Sequence, residues 1–357
     1  MEDQMKLLNE TLKKIEPADP EMRRNAEEYI RNLTMPLWAL GRVLDLAVDL
    51  AGITRNLKFS TARKEIVLMA GDHGIVAQGV CPQGSEVTAQ MMRNFIAGGA
   101  CINAVAKAVH AHVSVVDMGV KIDLDKPEIR NCKVGYGTAD FSCGPAMTRE
   151  QAIRSIEYGI ELANELAPQT DVFGTGEMGI GNTSPSTAIV TVLSRETDPA
   201  PYVGRGAGLA PEKLAHKAEI IRKGIAVNKP DPEDGLDVLA KVGGFEIGGI
   251  AGLILGAAAN RKPVVIDGFI SSAGALIAAS LSPESRDSMI PAHGSAEPGH
   301  HRMEELLGKK PLLDLGMRLG EGTGAALAMP LLDAASSIMH NMSTFEKANV
   351  TDKGVLR

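Results

Sequence analysis

Only four cysteines occur in 357 residues, Cys81, Cys101, Cys132 and Cys143, and none of them has C-x-x-C spacing. That excludes a disulfide framework and a cysteine zinc site, and it fits reduced thiols in the cytoplasm. No Lys/Arg-rich run is present, the formal net charge is −7 and the pI is near 5.7. The basic footprint that nucleic acid or an anionic membrane requires is therefore missing, and small molecules are the expected partners. Residues 1–30 carry Lys6, Lys13, Glu16, Glu21 and Arg23, which leaves no apolar core for a secretory signal. The most apolar stretch, Ile247 to Ala259, is interrupted by glycines and ends at Asn260-Arg261. It falls short of the roughly 20 residues of a membrane span and reads as a buried small-residue helix. No internal repeat or low-complexity tract is visible.

Several chemistries are missing as well. His73, His293, His300 and His301 stand in no H-E-x-x-H or comparable spacing, so they read as hydrogen-bonding or solvated side chains, and no metal is expected. No G-x-S-x-G elbow supports a serine hydrolase. A strand ending in paired acids before a threonine-glycine loop, the signature of a magnesium-bound diphosphate-sugar site, is also absent.

What is present is an average share of apolar residues, 44%, with 38 glycines, or about 11% against a usual ~7%. Such a surplus marks many tight backbone positions. From Asp3 to about Thr54 the spacing of Leu37, Leu40, Val43, Leu44, Leu46 and Ala47 predicts helices, divided by Pro17 and Pro20. Beyond Thr61, short apolar runs such as Ile66–Met69, Val113–Val116 and Val264–Ile266 alternate with helical segments. This predicts an α/β chain with a doubly wound, mostly parallel, Rossmann-like sheet. Three parts are expected: N-terminal helices over 1–58, a large α/β domain over 59–324, and a C-terminal helical segment over 325–357. The first and last are expected to pack together as a small helical domain.

In such sheets ligands bind beyond the carboxyl ends of the strands. There the sequence places Gly71-Asp72-His73-Gly74, Asp117-Met118-Gly119 and Asp267-Gly268-Phe269, with glycine-rich loops at 174–182, 204–208 and 316–324. Residues 174–179 match G-x-G-x-x-G, with Glu196 about 20 residues on, the pattern of a dinucleotide fold. The apolar run before them is only Val172-Phe173, and Glu177 would set a carboxylate against a pyrophosphate. A mononucleotide cradle fits better than a dinucleotide loop, and a purely structural turn is the bland alternative. The 204–208 loop precedes a helix announced by Pro211, where free N–H groups attract phosphate, and Arg205 and Lys217 could add charge. As a solvated helix lysine, Lys217 would do nothing of the kind. Glu321, between Gly320 and Gly322 at the entrance to an apolar helix, reads either as a dipole-favoured cap or as a carboxylate tuned for proton transfer. On residues alone the chain is a nucleotide-handling α/β enzyme with Glu321 or Glu177 in its site. The rivals are an NAD(P)-dependent oxidoreductase using the Gly174–Gly179 loop and a noncatalytic nucleotide-binding regulator.

Six blocks carry a resemblance. They are Gly71–Gly74 with Glu86–Met91, Gly176–Thr183, Gly204–Gly206, Ile266–Phe269, Ser295–His300 and Leu319–Gly324. Together, and in this order, they resemble the nicotinate-nucleotide:dimethylbenzimidazole phosphoribosyltransferase family. The resemblance implies transfer of a phosphoribosyl group from nicotinate mononucleotide to a benzimidazole-type base, giving the lower ligand of cobamides, without a cofactor. It implies Glu321 as the catalytic base. Gly176, Glu177 and Asp267 match nucleotide and ribose positions, and Arg205, Gly206, Lys217 and Ser295 match phosphate positions. Gln90, Pro82, Met178 and Leu319 match the base pocket. Val80-Cys81-Pro82-Gln83 departs from the serine-containing stretch of many members, which leaves the preferred base open. The family also implies a cytoplasmic homodimer.

Overall fold

The structure, a computed structural model, describes residues 5–351. The start of the expected N-terminal helical segment at Asp3 and residues 352–357 of the C-terminal one lie outside them. Six strands, β1 (Lys64–Gly71), β2 (Ala111–Gly119), β3 (Ile129–Asn131), β4 (Val172–Met178), β5 (Val264–Ile266) and β6 (Met289–Pro291), form one sheet in the order β3-β2-β1-β4-β5-β6. All pairings are parallel. The chain winds outward from β1 through β2 to β3, then returns to β1's other side and winds outward again from β4. The change of direction falls between β1 and β4, where a crevice opens at the strand ends.

Helices cover both faces. In chain order they are α1 (Lys6–Leu12), α2 (Pro20–Arg31), α3 (Arg42–Thr54), α4 (Glu86–Ala97), α5 (Cys101–Ala108), α6 (Arg149–Leu166) and α7 (Thr183–Leu193). They continue with α8 (Leu214–Asn228), α9 (Gly235–Val242), α10 (Phe245–Ala259), α11 (Phe269–Leu281), α12 (His300–Leu307), α13 (Thr323–Asn341) and α14 (Phe345–Ala348). Side chains of β1 alternate between two cores: Ile66, Leu68 and Ala70 face α2–α5 and α13, while Val67 and Met69 face α6, α7 and α9–α11. The predicted small-residue helix is α10, and it lies against α6 at backbone contact distance. A Cβ on Gly252 would overlap the carbonyl oxygen of Ile156, so only glycine allows this approach. The terminal segments meet as α2 and α3 pack together and α3 packs on α13. α1 does not join them: it lies against α6 and α10, with Leu8 in the core on the opposite face.

Two further segments differ from the sequence reading. Leu37 and Leu40, expected in a helix, lie exposed in the non-helical connection between α2 and α3. Residues 174–178, expected as a glycine-rich loop, are the second half of β4, at the centre of the sheet. Alternation is hidden because Gly174 and Gly176 take the places of branched residues. Gly176 is required by close approach, since a Cβ there would lie 2.7 Å from the carbonyl oxygen of Glu321.

Candidate active site

A cavity of about 440 Å³ opens at the β1–β4 crevice. That size suits a small-molecule ligand of nucleotide dimensions. Its floor is Glu177 and Met178 at the end of β4, with Asn182 and Thr183 at the start of α7. One wall is Gly206 with Ser295 and Glu297, and Arg318–Glu321 adjoin it, with Arg318 reaching the Gly206 carbonyl. Gln83, Val87 and Met91 reach in from the β1 side.

The sequence-expected residues divide into three groups. Glu177, Met178, Gly206, Ser295, Leu319 and Glu321 line this cavity. Gly176, Asp267 and Lys217 stand behind its wall and hold it. Arg205, Pro82 and Gln90 are exposed beside it rather than in it. On α4, Val87 and Met91 turn inward and leave Gln90 in solvent, and Arg205 bonds its own loop through the carbonyl of Leu209 at 2.9 Å.

Glu321 sits in a turn of unusual backbone. Gly320, Glu321 and Gly322 all take positive φ, at 93°, 63° and 89°. A carboxylate residue in the left-handed region is strained by about 1–3 kcal/mol, and such strain persists only where the surroundings enforce it. Asp267 does the enforcing. Its Oδ2 accepts the N–H of Gly322 at 3.1 Å, and its Oδ1 accepts those of Gly324 at 2.7 Å and Ala325 at 3.0 Å. All three donors belong to the start of α13, so the carboxylate after β5 pins the turn that carries Glu321. Glu321 Oε2 in turn accepts the N–H of Ile102, at the start of α5, at 3.2 Å. Burial, opposed by this bond and reinforced by Asp267, raises the Glu321 carboxyl above the usual range.

Glu177 is more deeply placed. Burial, with the charges of Asp267 and Glu246, pushes its carboxyl up to about 8, against the bond it accepts from Asn182 Nδ2. The folded chain thus holds a proton that the unfolded chain releases near 4.5. Below that pH both states are protonated and the difference vanishes. Between 4.5 and about 8, stability is lost as pH rises, at up to ~1.4 kcal/mol per unit for one group. We expect Glu177→Gln to flatten the decline of melting temperature measured from about pH 5 to 8. Parallel wild-type and variant curves would contradict it.

Lys217 is 1% exposed, not solvated. Its ammonium donates to Thr183 Oγ1 at 2.7 Å and to the carbonyl of Gly204 at 3.0 Å, tying the start of α7 to the 204–208 loop. Burial lowers it to about 8, with Glu297 and Cys81 acting in the opposite sense. Three further polar groups near the strand ends are buried and hydrogen-bonded outside the cavity lining. Asp72 accepts the N–H of Lys121 at 2.8 Å, His73 pairs with Glu246 at 2.6 Å behind the 179–180 turn, and His300 Nε2 lies 3.1 Å from the carbonyl oxygen of His293. Among the described residues no three His, Cys, Asp or Glu side chains converge as metal ligands, and no helix is long and apolar enough to cross a membrane.

Asn182, Thr183, Glu297 and Arg318 carry no signal of their own in the sequence. Each lies inside or beside a glycine-rich block, and that adjacency is the available clue. The fold also removes the dinucleotide pattern. In a dinucleotide site the glycines follow the first strand, whereas here they form β4 and its end.

A family model described as phosphoribosyltransferase matches residues 15–350. The nicotinate-nucleotide–dimethylbenzimidazole phosphoribosyltransferase of Syntrophotalea carbinolica is 54% identical over 352 residues, 97% of this chain and 99% of that one. The protein of that name from Geobacter sulfurreducens is 50% identical over 350 residues, 98% and 99% of the two chains. A crystal structure of the Thermus thermophilus enzyme of that name superimposes with a TM-score of 0.88 at 42% identity, covering 94% of this chain and 99% of the other.

Proposed function

The chain belongs to the nicotinate-nucleotide:dimethylbenzimidazole phosphoribosyltransferase family, and from that premise we propose how its own residues carry the reaction. It transfers the phosphoribosyl group of nicotinate mononucleotide to dimethylbenzimidazole or a related base, giving α-ribazole phosphate and nicotinate for cobalamin lower-ligand synthesis. The observation that carries the assignment of roles is the Glu321 turn: a carboxylate held at the cavity lip, with raised proton affinity, by a backbone that Asp267 fixes.

The donor's pyridinium is already cationic, so its nitrogen can leave with the bonding pair and become neutral. One benzimidazole nitrogen attacks the anomeric carbon from the opposite side, and the centre inverts to α. As that bond forms the ring becomes cationic, and the proton on its other nitrogen passes to the Glu321 carboxylate. Proton affinity above the usual carboxylate range makes the acceptor better matched to this step. Glu177, neutral near pH ~7 on its raised value, can donate a hydrogen bond to a ribose hydroxyl without setting a second negative charge beside Glu321. Met178 and Leu319 supply apolar contact for the base. Mixing the protein with nicotinate mononucleotide and dimethylbenzimidazole, then separating the mixture by chromatography, should give nicotinate and α-ribazole phosphate. Absence of both would refute the activity.

The phosphate reading concerns Gly206, Ser295 and Lys217. The Lys217 ammonium, bound to Thr183 Oγ1 and the Gly204 carbonyl where the start of α7 meets the 204–208 loop, supplies the positive charge for an anion there. The Gly206 N–H, now given to Glu297, is a donor within the same loop. Lys217→Met should raise the Michaelis constant for the mononucleotide by about 10- to 100-fold, with the constant for the base within a few fold. An unchanged donor constant would reduce Lys217 to a strut between α7 and the loop.

As a whole molecule we read the protein as a cytoplasmic homodimer, with α2, α3 and α13 as its helical unit. Leu37 and Leu40 in the connection between α2 and α3, and Leu327 on α13, are 39%, 51% and 37% exposed, apolar surface that a partner could cover. A monomeric mass in solution would count against it.

A further inference from the structure

Glu297 is out of place beside an anion seat. It is 6% exposed and lines the cavity next to Ser295. Its Oε1 accepts the N–H of Gly206 at 3.1 Å, and its Oε2 has no hydrogen-bond partner among the described residues. The position is built rather than incidental. A Cβ on Gly204 would overlap Glu297 Oε2, so the loop has glycine where the carboxylate needs room. Ser295 Oγ accepts the N–H of Glu297 at 3.3 Å and fixes its backbone. Lys217 bonds Gly204 from the other side of the loop, and Arg318 reaches the carbonyl of Gly206 at 3.4 Å.

We propose that Glu297 is a resident carboxylate that competes with the donor's phosphate for the Gly206 N–H and for the field of Lys217. By doing so it limits how tightly any phosphate-bearing ligand is held. The inference rests on the assignment of phosphate to the 204–208 loop. One N–H cannot serve two anions fully, and two anions close together in a buried site repel. The reaction explains why a weaker grip is useful. Donor and product carry the same phosphate, and no bond to it changes. Binding energy spent there stabilises substrate, transition state and product alike, so it adds nothing to the chemical step and delays release.

Glu297→Gln removes the charge while keeping the size and an acceptor oxygen for Gly206. Dissociation constants measured by calorimetry for nicotinate mononucleotide and for α-ribazole phosphate should both fall about tenfold. The constant for nicotinate riboside, which lacks the phosphate, should stay the same. Glu297→Asp, still charged, should remain near wild type. Unchanged or weakened binding of both phosphate ligands to a folded Glu297→Gln protein would overturn the proposal, as would an equal loss for the riboside, which would make Glu297 a ribose ligand. Lys217→Met separates the underlying assignment. If that variant keeps the preference for mononucleotide over riboside, the phosphate seat itself is wrong. If it loses the preference while Glu297→Gln shifts nothing, only the competing role of Glu297 falls.

Discussion

Glu321→Gln is expected to lower the turnover number by about 10²- to 10⁴-fold, the usual contribution of a positioned general base. Gln retains the size of the side chain and an oxygen that can accept the N–H of Ile102, so the start of α5 keeps its partner. What it loses is the capacity to take a proton. Mononucleotide binding should change little, because the proton moves only when the base attacks. The structure also gives the bland reading some substance, since the carboxylate does tie α13's entrance to α5. If that were its whole role, the substitution would cost about 0.5–2 kcal/mol of stability and leave turnover alone. Turnover and melting temperature measured on the same preparation separate the two. A pH profile adds a sign: Glu321 must be ionised to accept, so the acid limb of kcat should lie above the ordinary carboxylate range and vanish in the variant. Early melting with wild-type turnover would sink the general-base assignment and leave Glu321 as a tie between α13 and α5.

The second large effect should come from a residue that does not line the cavity. Asp267→Ala removes the acceptor for three N–H groups at the start of α13, those of Gly322, Gly324 and Ala325. Each buried donor left unpaired costs about 1–3 kcal/mol. The strained turn then has nothing to hold it, and a shift of about 1 Å in a reacting group can cost on the order of 100-fold in rate. We therefore expect kcat to fall by about that factor with the Michaelis constant for mononucleotide within a few fold. The family resemblance assigns Asp267 to the ribose, and that role predicts the reverse split, a raised donor constant with less effect on kcat. Asp267 also raises the proton affinity of Glu321 by charge, so in the variant the remaining acid limb should move to lower pH. A donor constant raised about 100-fold at unchanged kcat would defeat the positioning role.

How far the sequence can be read depends on what each segment shows of itself. Ile66–Met69, Val113–Val116 and Val264–Ile266 are buried strands whose apolar runs announce them, and they lie in β1, β2 and β5. β4 reads as a loop because its core contacts are made by other elements pressing on glycine, and a missing side chain leaves no periodicity. β3 and β6, three residues each at the sheet edges, are too short to show a pattern. Glu321 is legible because flanking glycines make its setting conspicuous, and motif resemblance supplies Lys217, whose burial no local pattern reveals. Glu297 stands inside a resembling block yet gives no local sign, since its meaning comes from Gly204 and Gly206, the latter 91 residues away in the chain. Gln90 shows the converse. The motif containing it does reach the cavity, but through Val87 and Met91, and only helix rotation decides which side chain faces in.

The placement of β1 beside β4 also orders events in time. Lys64 pairs with Val172, and the turn carrying Glu321 packs against Gly176, so the crevice closes only when segments far apart in the chain have met. Long loops must lose their freedom before those contacts repay them, which makes parallel pairing of this kind slow. During renaturation from denaturant, helical signal should return first and catalytic competence last. A chain still emerging during synthesis has no proton acceptor at the cavity until the residues that lead into α13 are made.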